Sequence, residues 1–301
     1  MILLRGDRPI LVDTGFGGDV EETFDLLRGI GCAPQSLQLV VNTHYHCDHA
    51  GGNHALQTRY NIPIATHRWD ANMVNSRDIE ACSLNFLVQP MESYRVERPL
   101  SHDDELDTGS GVYRVLHTPG HTTGHIALYA DGVLIAGDTI HADDVAWINP
   151  YREGANAIYQ MLDTLDTLAK LPLECAYSGH GPANLNPLES LDRARRRYEK
   201  WITQPEKIGW HASKRIFTYA LMLFDGLTQE EITPYLLGCP WFVDYSQHIF
   251  KTTPKSFVQP LIDELLRSGA ASWQAGNLIP NAPYNHVDSV WMRRTMAPDE
   301  W

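Results

Sequence analysis

Seven residues of metal-ligand type stand in four short segments of the chain. His44, His46, Asp48 and His49 crowd into Asn42–His49, and His121 lies in Thr118-Pro-Gly-His-Thr122. Asp138 lies in Ala136-Gly-Asp-Thr139, and His180 in Ser178-Gly-His-Gly-Pro182. Each follows a run rich in β-formers, as does Asp13 after Pro9-Ile-Leu-Val. Strand ends along one sheet edge converge while the loops beyond them stay free to vary. His44 and His46 are two apart, so in extended chain they point the same way. Imidazole and carboxylate at this density suit zinc, iron or manganese. One such histidine is ordinarily a buried polar group; the joint occurrence of the four segments is what points to a metal centre.

The elements that must position these residues are legible around them. Leu37–Val41 reads as a buried strand running into the histidine cluster. Further strands are expected at 62–65, 112–116, 126–129, 133–135 and 174–178, with Asp131-Gly132 as a hairpin turn. Val20–Ile30 and Ile158–Leu171 carry helical periodicity, stopped by Gly31 and Pro172. From Leu188 onward the pattern is helical. Thr228-Gln-Glu-Glu231 is a capping box. A helix around Phe257–Leu266 is followed by a small hairpin, 270–279. This suggests a catalytic domain over 1–203 and a helical, winged-helix-like domain over 204–301, divided near Gln204-Pro205.

Composition bounds the function. The chain has 301 residues, 24 Lys+Arg against 37 Asp+Glu, and a net charge of −13. That balance opposes general binding to nucleic acid or an anionic membrane; it says nothing about a small-molecule substrate, which is the expected partner. No apolar stretch has the length of a membrane span, and the first residues lack the apolar run of a secretion signal. The five cysteines include no Cys-x-x-Cys pair. A reducing, cytoplasmic setting is therefore expected.

Leu11-Val-Asp-Thr-Gly15, Thr43-His-Tyr-His-Cys-Asp-His-Ala-Gly-Gly52, Thr118–Thr122, Gly137-Asp-Thr139 and Ser178–Pro182 together resemble the five motifs of the metallo-β-lactamase superfamily, in order. The resemblance implies an α/β fold, an αβ/βα sandwich with two divalent metal ions at one edge. It assigns His44, His46 and His121 to the first metal and Asp48, His49 and His180 to the second, with Asp138 bridging. Asp13 resembles the aspartate that orients the histidine loop. Two metals ~3.5–4 Å apart share a hydroxide that attacks a carbonyl or phosphoryl centre. Asp48 would orient that hydroxide and pass on a proton, so no serine or cysteine nucleophile is required. Zinc is the expected metal, with iron and manganese as alternatives.

The bridging Asp138 resembles the glyoxalase II, lactonase and phosphodiesterase branches. Ile140–Trp147 is acidic and aromatic where glyoxalase II carries basic residues for glutathione, which points toward another acyl thioester, ester or lactone. The alternatives are β-lactamase or phosphodiesterase activity, or iron-dependent persulfide oxygenation. Tyr45, His125, His141 and Trp147 stand open between contacting substrate and supporting the ligands. Members of the family usually have one more strand ahead of Leu11. Either that strand is missing here or its sheet edge is covered by a partner or by the C-terminal region, which favours a homo-oligomer.

Overall fold

The computed structural model describes residues 1–288 except Ala81 and Tyr151, together with 291, 292 and 295. The chain divides into two compact units, 1–82 with 91–200, and 83–90 with 201–300. The division falls at 200/201 rather than 203/204, and an eight-residue stretch of the expected catalytic domain groups with the second unit. The reason is local: helix Leu84–Leu87 buries Phe86 and Leu87 and packs on helix Pro240–Asp244.

The first unit is built on two five-stranded sheets. One runs β1 (Ile2–Leu4), β2 (Ile10–Val12), β3 (Leu39–Val41), β4 (Ile64–His67), β5 (Arg98–Leu100), parallel except for the β1–β2 pair. The other runs β10 (Cys175–Ser178), β9 (Val133–Gly137), β8 (Ile126–Ala130), β7 (Val112–His117), β6 (Glu105–Asp107), antiparallel except for β9–β10. Helix Ala157–Leu168 lies in the crossover joining β9 to β10, as a parallel pair requires. Ile10, Val12, Leu39, Val41 and Leu100 of the first sheet share a core with Val115, Ile126, Leu128 and Ile135 of the second. The residues between them, Leu11 and Val40, are also buried, so the parallel strands are covered on both faces.

Asp131 and Gly132 form the two-residue loop between β8 and β9 at φ of 44° and 82°, the type I′ geometry that an Asp-Gly pair favours. The strand expected at 62–65 begins instead at Ile64, because Pro63 has no N–H for the ladder. Three short strands, β1, β5 and β6, lack a sequence signal. They are sheet edges or near-edges, and β5 and β6 are mostly exposed and charged. β1 lies beside β2 as an antiparallel partner, so a strand ahead of Leu11 is present and β1 forms that edge of the sheet.

The second unit holds helix Glu206–Leu223, β11 (Leu227–Thr228), helices Gln229–Gly238 and Pro254–Ser268, then β12 (Ala271–Gln274) and β13 (Asn277–Pro280). The three strands form one antiparallel sheet in the order β11-β13-β12. Thr228 caps its helix by accepting from the Glu231 N–H, while the Glu231 carboxylate accepts from the Thr228 N–H. Among the described residues, no helix is long and apolar enough to cross a membrane. None of the five cysteines is in a disulfide.

Candidate metal centre

The seven ligand-type residues expected from the sequence come together at one edge of the two sheets. Three of them, His44, His46 and His121, have ring nitrogens in mutual contact. His46 Nδ1 lies 3.0 Å from His44 Nε2 and 3.0 Å from His121 Nε2. All three rings are buried.

The outward nitrogens of His121 and His44 are fixed by neighbours. His121 Nδ1–H donates to the Trp147 carbonyl at 2.8 Å, so its Nε2 presents a lone pair inward. The Thr43 hydroxyl donates to Asp13 and lies 3.1 Å from His44 Nδ1, which makes that nitrogen the donor and turns His44 Nε2 inward. Burial pushes all three below the ordinary histidine value, His46 to about 3, with neighbouring imidazoles adding to the shift for His44 and His46. Neutral imidazoles whose lone pairs converge repel one another; a cation among them reverses the sign.

The second group holds Asp48, His49 and His180. His180 Nε2 is 3.2 Å from Asp48 Oδ2, and His49 Nε2 is 3.8 Å from the same oxygen. Asp138 stands between the groups: one carboxylate oxygen is 3.5 Å from His49 Nε2, and the other is 3.7 Å from His121 Nε2 and 3.5 Å from His180 Nε2. His49 Nε2 and Asp138 Oδ1 are buried with no hydrogen-bond partner. Such orphaned atoms are costly unless something else binds them. Glycine at 179 keeps this place open, since a Cβ there would stand 2.4 Å from His49 and 2.5 Å from Asp138. The donor set, the inward lone pairs and the orphaned atoms all fit divalent cations.

Electrostatics separates the two groups. Burial lowers His49, but Asp138, Asp48 and Asp13 outweigh it and raise the ring to about 9. Asp138 is the main cause raising His180 to about 11. Burial pushes the carboxyls of Asp48 and Asp138 up, yet the His49 and His180 rings hold both below the usual carboxylate range. The site therefore pairs a neutral all-imidazole group with a charged carboxylate–imidazole group.

The remaining sequence candidates take definite places. Asp13, at a left-handed φ of 58°, accepts from the Thr43 N–H at 2.8 Å and lies 2.9 Å from His49 Nδ1. It thus orients His49 as well as the loop. His125 is fully buried; its Nε2 accepts the Asp138 N–H at 3.0 Å, and its Nδ1 lies 2.8 Å from the Thr118 hydroxyl. Enclosed in this way, it supports Asp138 and cannot face a substrate. Tyr45 is also buried, its hydroxyl donating to Glu153 at 2.7 Å, which places it behind the ligands rather than in front of them. Trp147 is half-buried and stacks on His46, with ring centroids 5.7 Å apart and planes 8° from parallel. His141 lies 5.9 Å from the His180 ring.

Sequence reasoning missed Thr43, Thr118 and Glu153. The threonines carry a weak signal in standing at strand ends beside the motif residues. Glu153 carries none, because its partner Tyr45 is 108 positions away.

The family model described as the metallo-beta-lactamase superfamily matches residues 1–180. A hydroxyacylglutathione hydrolase of Dechloromonas aromatica (strain RCB) is 30% identical over 186 residues, covering 62% of this chain and 58% of its own length. This chain thus spans less than two thirds of that relative. A probable metallo-hydrolase of Methanocaldococcus jannaschii is 28% identical over 187 residues, covering 60% of this chain and 85% of its own. Among solved structures, a metallo-beta-lactamase family protein of Thermus thermophilus aligns with a TM-score of 0.58 at 21% identity, covering 93% of this chain and 92% of its own. At that identity the likeness carries the fold alone.

Proposed function

From the premise that the chain belongs to the metallo-beta-lactamase superfamily, we propose that it is a metal-dependent hydrolase of a small acyl thioester, with esters and lactones as the neighbouring substrate class. The observation that carries this reading is the Asp138 carboxylate, which reaches imidazoles of both groups within 3.5–3.7 Å. His44, His46 and His121 would hold one cation and Asp48, His49 and His180 the other, with Asp138 shared. Two divalent cations bound there supply Lewis acidity toward a carbonyl oxygen and acidify a water. An all-nitrogen and oxygen donor set suits zinc, iron and manganese alike, and zinc is the metal we propose.

The chain's own residues do the rest. Asp48 is half-buried and ionised, and it takes the role of a base that orients the attacking water and holds its proton. Asp13 and the Trp147 carbonyl fix two ligand side chains, His49 and His121, in one orientation each, and His125 holds the backbone of Asp138. The indole of Trp147 over His46 supplies an apolar wall for an acyl group. The relative that is a hydroxyacylglutathione hydrolase supports a thioester. In contrast, Ala142-Asp-Asp144 is acidic, and Arg193 and Arg197, the nearby cations, are engaged with the Ala142 carbonyl and Asp144. An acyl thioester without a glutathione carboxylate suits that surrounding better.

We read the second unit as a winged-helix-like extension, on its strand order. Cysteines outside any disulfide support a reducing, cytoplasmic setting.

The test is the initial hydrolysis rate on an acyl thioester, a lactone, a β-lactam and a phosphodiester, with protein loaded with zinc, manganese or iron. Asp138→Ala serves as the blank. The expected result is thioester turnover well above the blank. A preference for the β-lactam or the phosphodiester would overturn the substrate assignment, and full turnover by Asp138→Ala would overturn the mechanism.

A further inference from the structure

Glu153 lies in the segment between β9 and helix Ala157–Leu168, and the reaction outlined above makes no use of it. Its Oε1 accepts the Tyr45 hydroxyl at 2.7 Å. Its Oε2 accepts both the Thr123 N–H at 2.5 Å and the Thr123 hydroxyl at 2.8 Å. Tyr45 stands between His44 and His46, in the loop that leaves β3. Thr123 stands two residues after His121, in the loop from β7 to β8. One carboxylate therefore bridges the two loops that deliver the all-imidazole group, and those loops come from different sheets.

We propose that Glu153 is a positioning residue that sets the spacing of His46 and His121, and through it the affinity of the first metal position. This rests on the metal reading above. The same segment touches both loops a second time, since the Trp147 carbonyl accepts His121 Nδ1–H and the Trp147 ring stacks on His46. The segment is itself held. Glu153 N–H donates to the Asn149 carbonyl at 2.9 Å, and Arg152 pairs with Glu80 at 2.7 Å. The bridge needs two acceptor oxygens facing three donors. An amide has only one acceptor oxygen, so glutamine would either set its NH₂ against the Thr123 N–H or turn it to the Tyr45 oxygen, which accepts from it while the phenolic proton loses this acceptor.

The experiment is a Co²⁺ titration of the metal-free full-length protein, read by visible absorption, on the parent, Glu153→Gln, Tyr45→Phe and the double variant. Thermal midpoints of the metal-free proteins are measured alongside. The His46→Ala and His180→Ala variants identify which binding step belongs to which group. Glu153→Gln is expected to weaken the step lost in His46→Ala by about 10–100-fold and to shift its cobalt bands. It should leave the other step near that of the parent, while the lost bridge lowers the metal-free midpoint modestly. Tyr45→Phe should weaken the same step by less, and the double variant should be no weaker than Glu153→Gln, because both act through one bridge. Unchanged cobalt binding in Glu153→Gln, additive losses in the double variant, or equal loss at both steps would each overturn the proposal. A parent that binds no cobalt would remove the metal reading and this inference with it. A parent that binds two ions beside an indifferent Glu153→Gln would remove this inference alone.

Discussion

His44, His46 and His121 differ from His49 and His180 in the company they keep, and that difference has measurable consequences. The first three are held neutral, chiefly by burial; the other two face carboxylates and carry protons at neutral pH. Filling the all-imidazole group at pH 7.5 should therefore displace almost no protons, while filling the carboxylate group should displace close to two. Calorimetry in buffers of different ionisation heat reads this directly, and equal release at the two steps would contradict the assigned charges. The same values fix how the metal-free protein responds to pH. The raised pair contributes stability that is complete below the ordinary histidine value of 6.5 and is lost as pH rises through about 9 for His49 and about 11 for His180. The lowered histidines act in the opposite sense, and their contribution is lost as pH falls below 6.5. Denaturant midpoints of the metal-free protein should peak near pH 6.5 and decline on both sides, and saturating metal should remove the alkaline decline. For catalysis, Asp48→Asn should lower kcat by about 10²–10⁴-fold if that carboxylate handles the proton. A loss of only a few-fold would move the role elsewhere.

At the scale of elements, the loops place the chemistry and the strands place the loops. Gly137 ends β9 with a φ of 49° and is packed so closely that a Cβ would lie 2.7 Å from His125 Nε2 and from Thr43. Gly137→Ala should cost about 1–3 kcal/mol of stability in a denaturant melt of the metal-free protein and displace the imidazole that holds Asp138. A variant of unchanged stability would show that this close approach is dispensable. The same scale explains what the sequence disclosed. Leu39–Val41, Ile126–Ala130 and Val133–Gly137 were legible because their apolar runs end in Gly, Asp or His at recognisable turns. The seven ligand-type residues were legible because chemistry confines them to a few residue types at strand ends. β1, β5 and β6 left no trace, since two or three residues at a sheet margin need no apolar alternation. The supports were illegible for a different reason: Glu153, Thr43 and Thr118 act by hydrogen bonds between distant segments, and no local pattern encodes such a partner. His125 was visible as a residue, but its role depends on enclosure, which only the fold supplies.

At the scale of the whole molecule, the two units are interleaved along the chain, because residues 83–90 belong with 201–300. Cutting after residue 200 would strip Phe86 and Leu87 of the packing partners they have in helix Pro240–Asp244. The fragment 1–200 should bind a hydrophobic dye and aggregate, and supplying residues 201–301 in trans should relieve both. A monomeric, dye-silent fragment would show that the first unit is self-sufficient. The ligands themselves are divided between the sheets: His44, His46, Asp48 and His49 follow β3 of one, while His121, Asp138 and His180 follow strands of the other. Ions seated among them would also be rivets between two plates, which could not slip past one another without shearing metal–ligand bonds. Amide exchange should slow in both sheets together on loading, and proteases should cut the loaded chain more slowly. On that reading scarce metal would loosen the seam, and the supply of ions would set how long each copy escapes degradation as well as how fast it works.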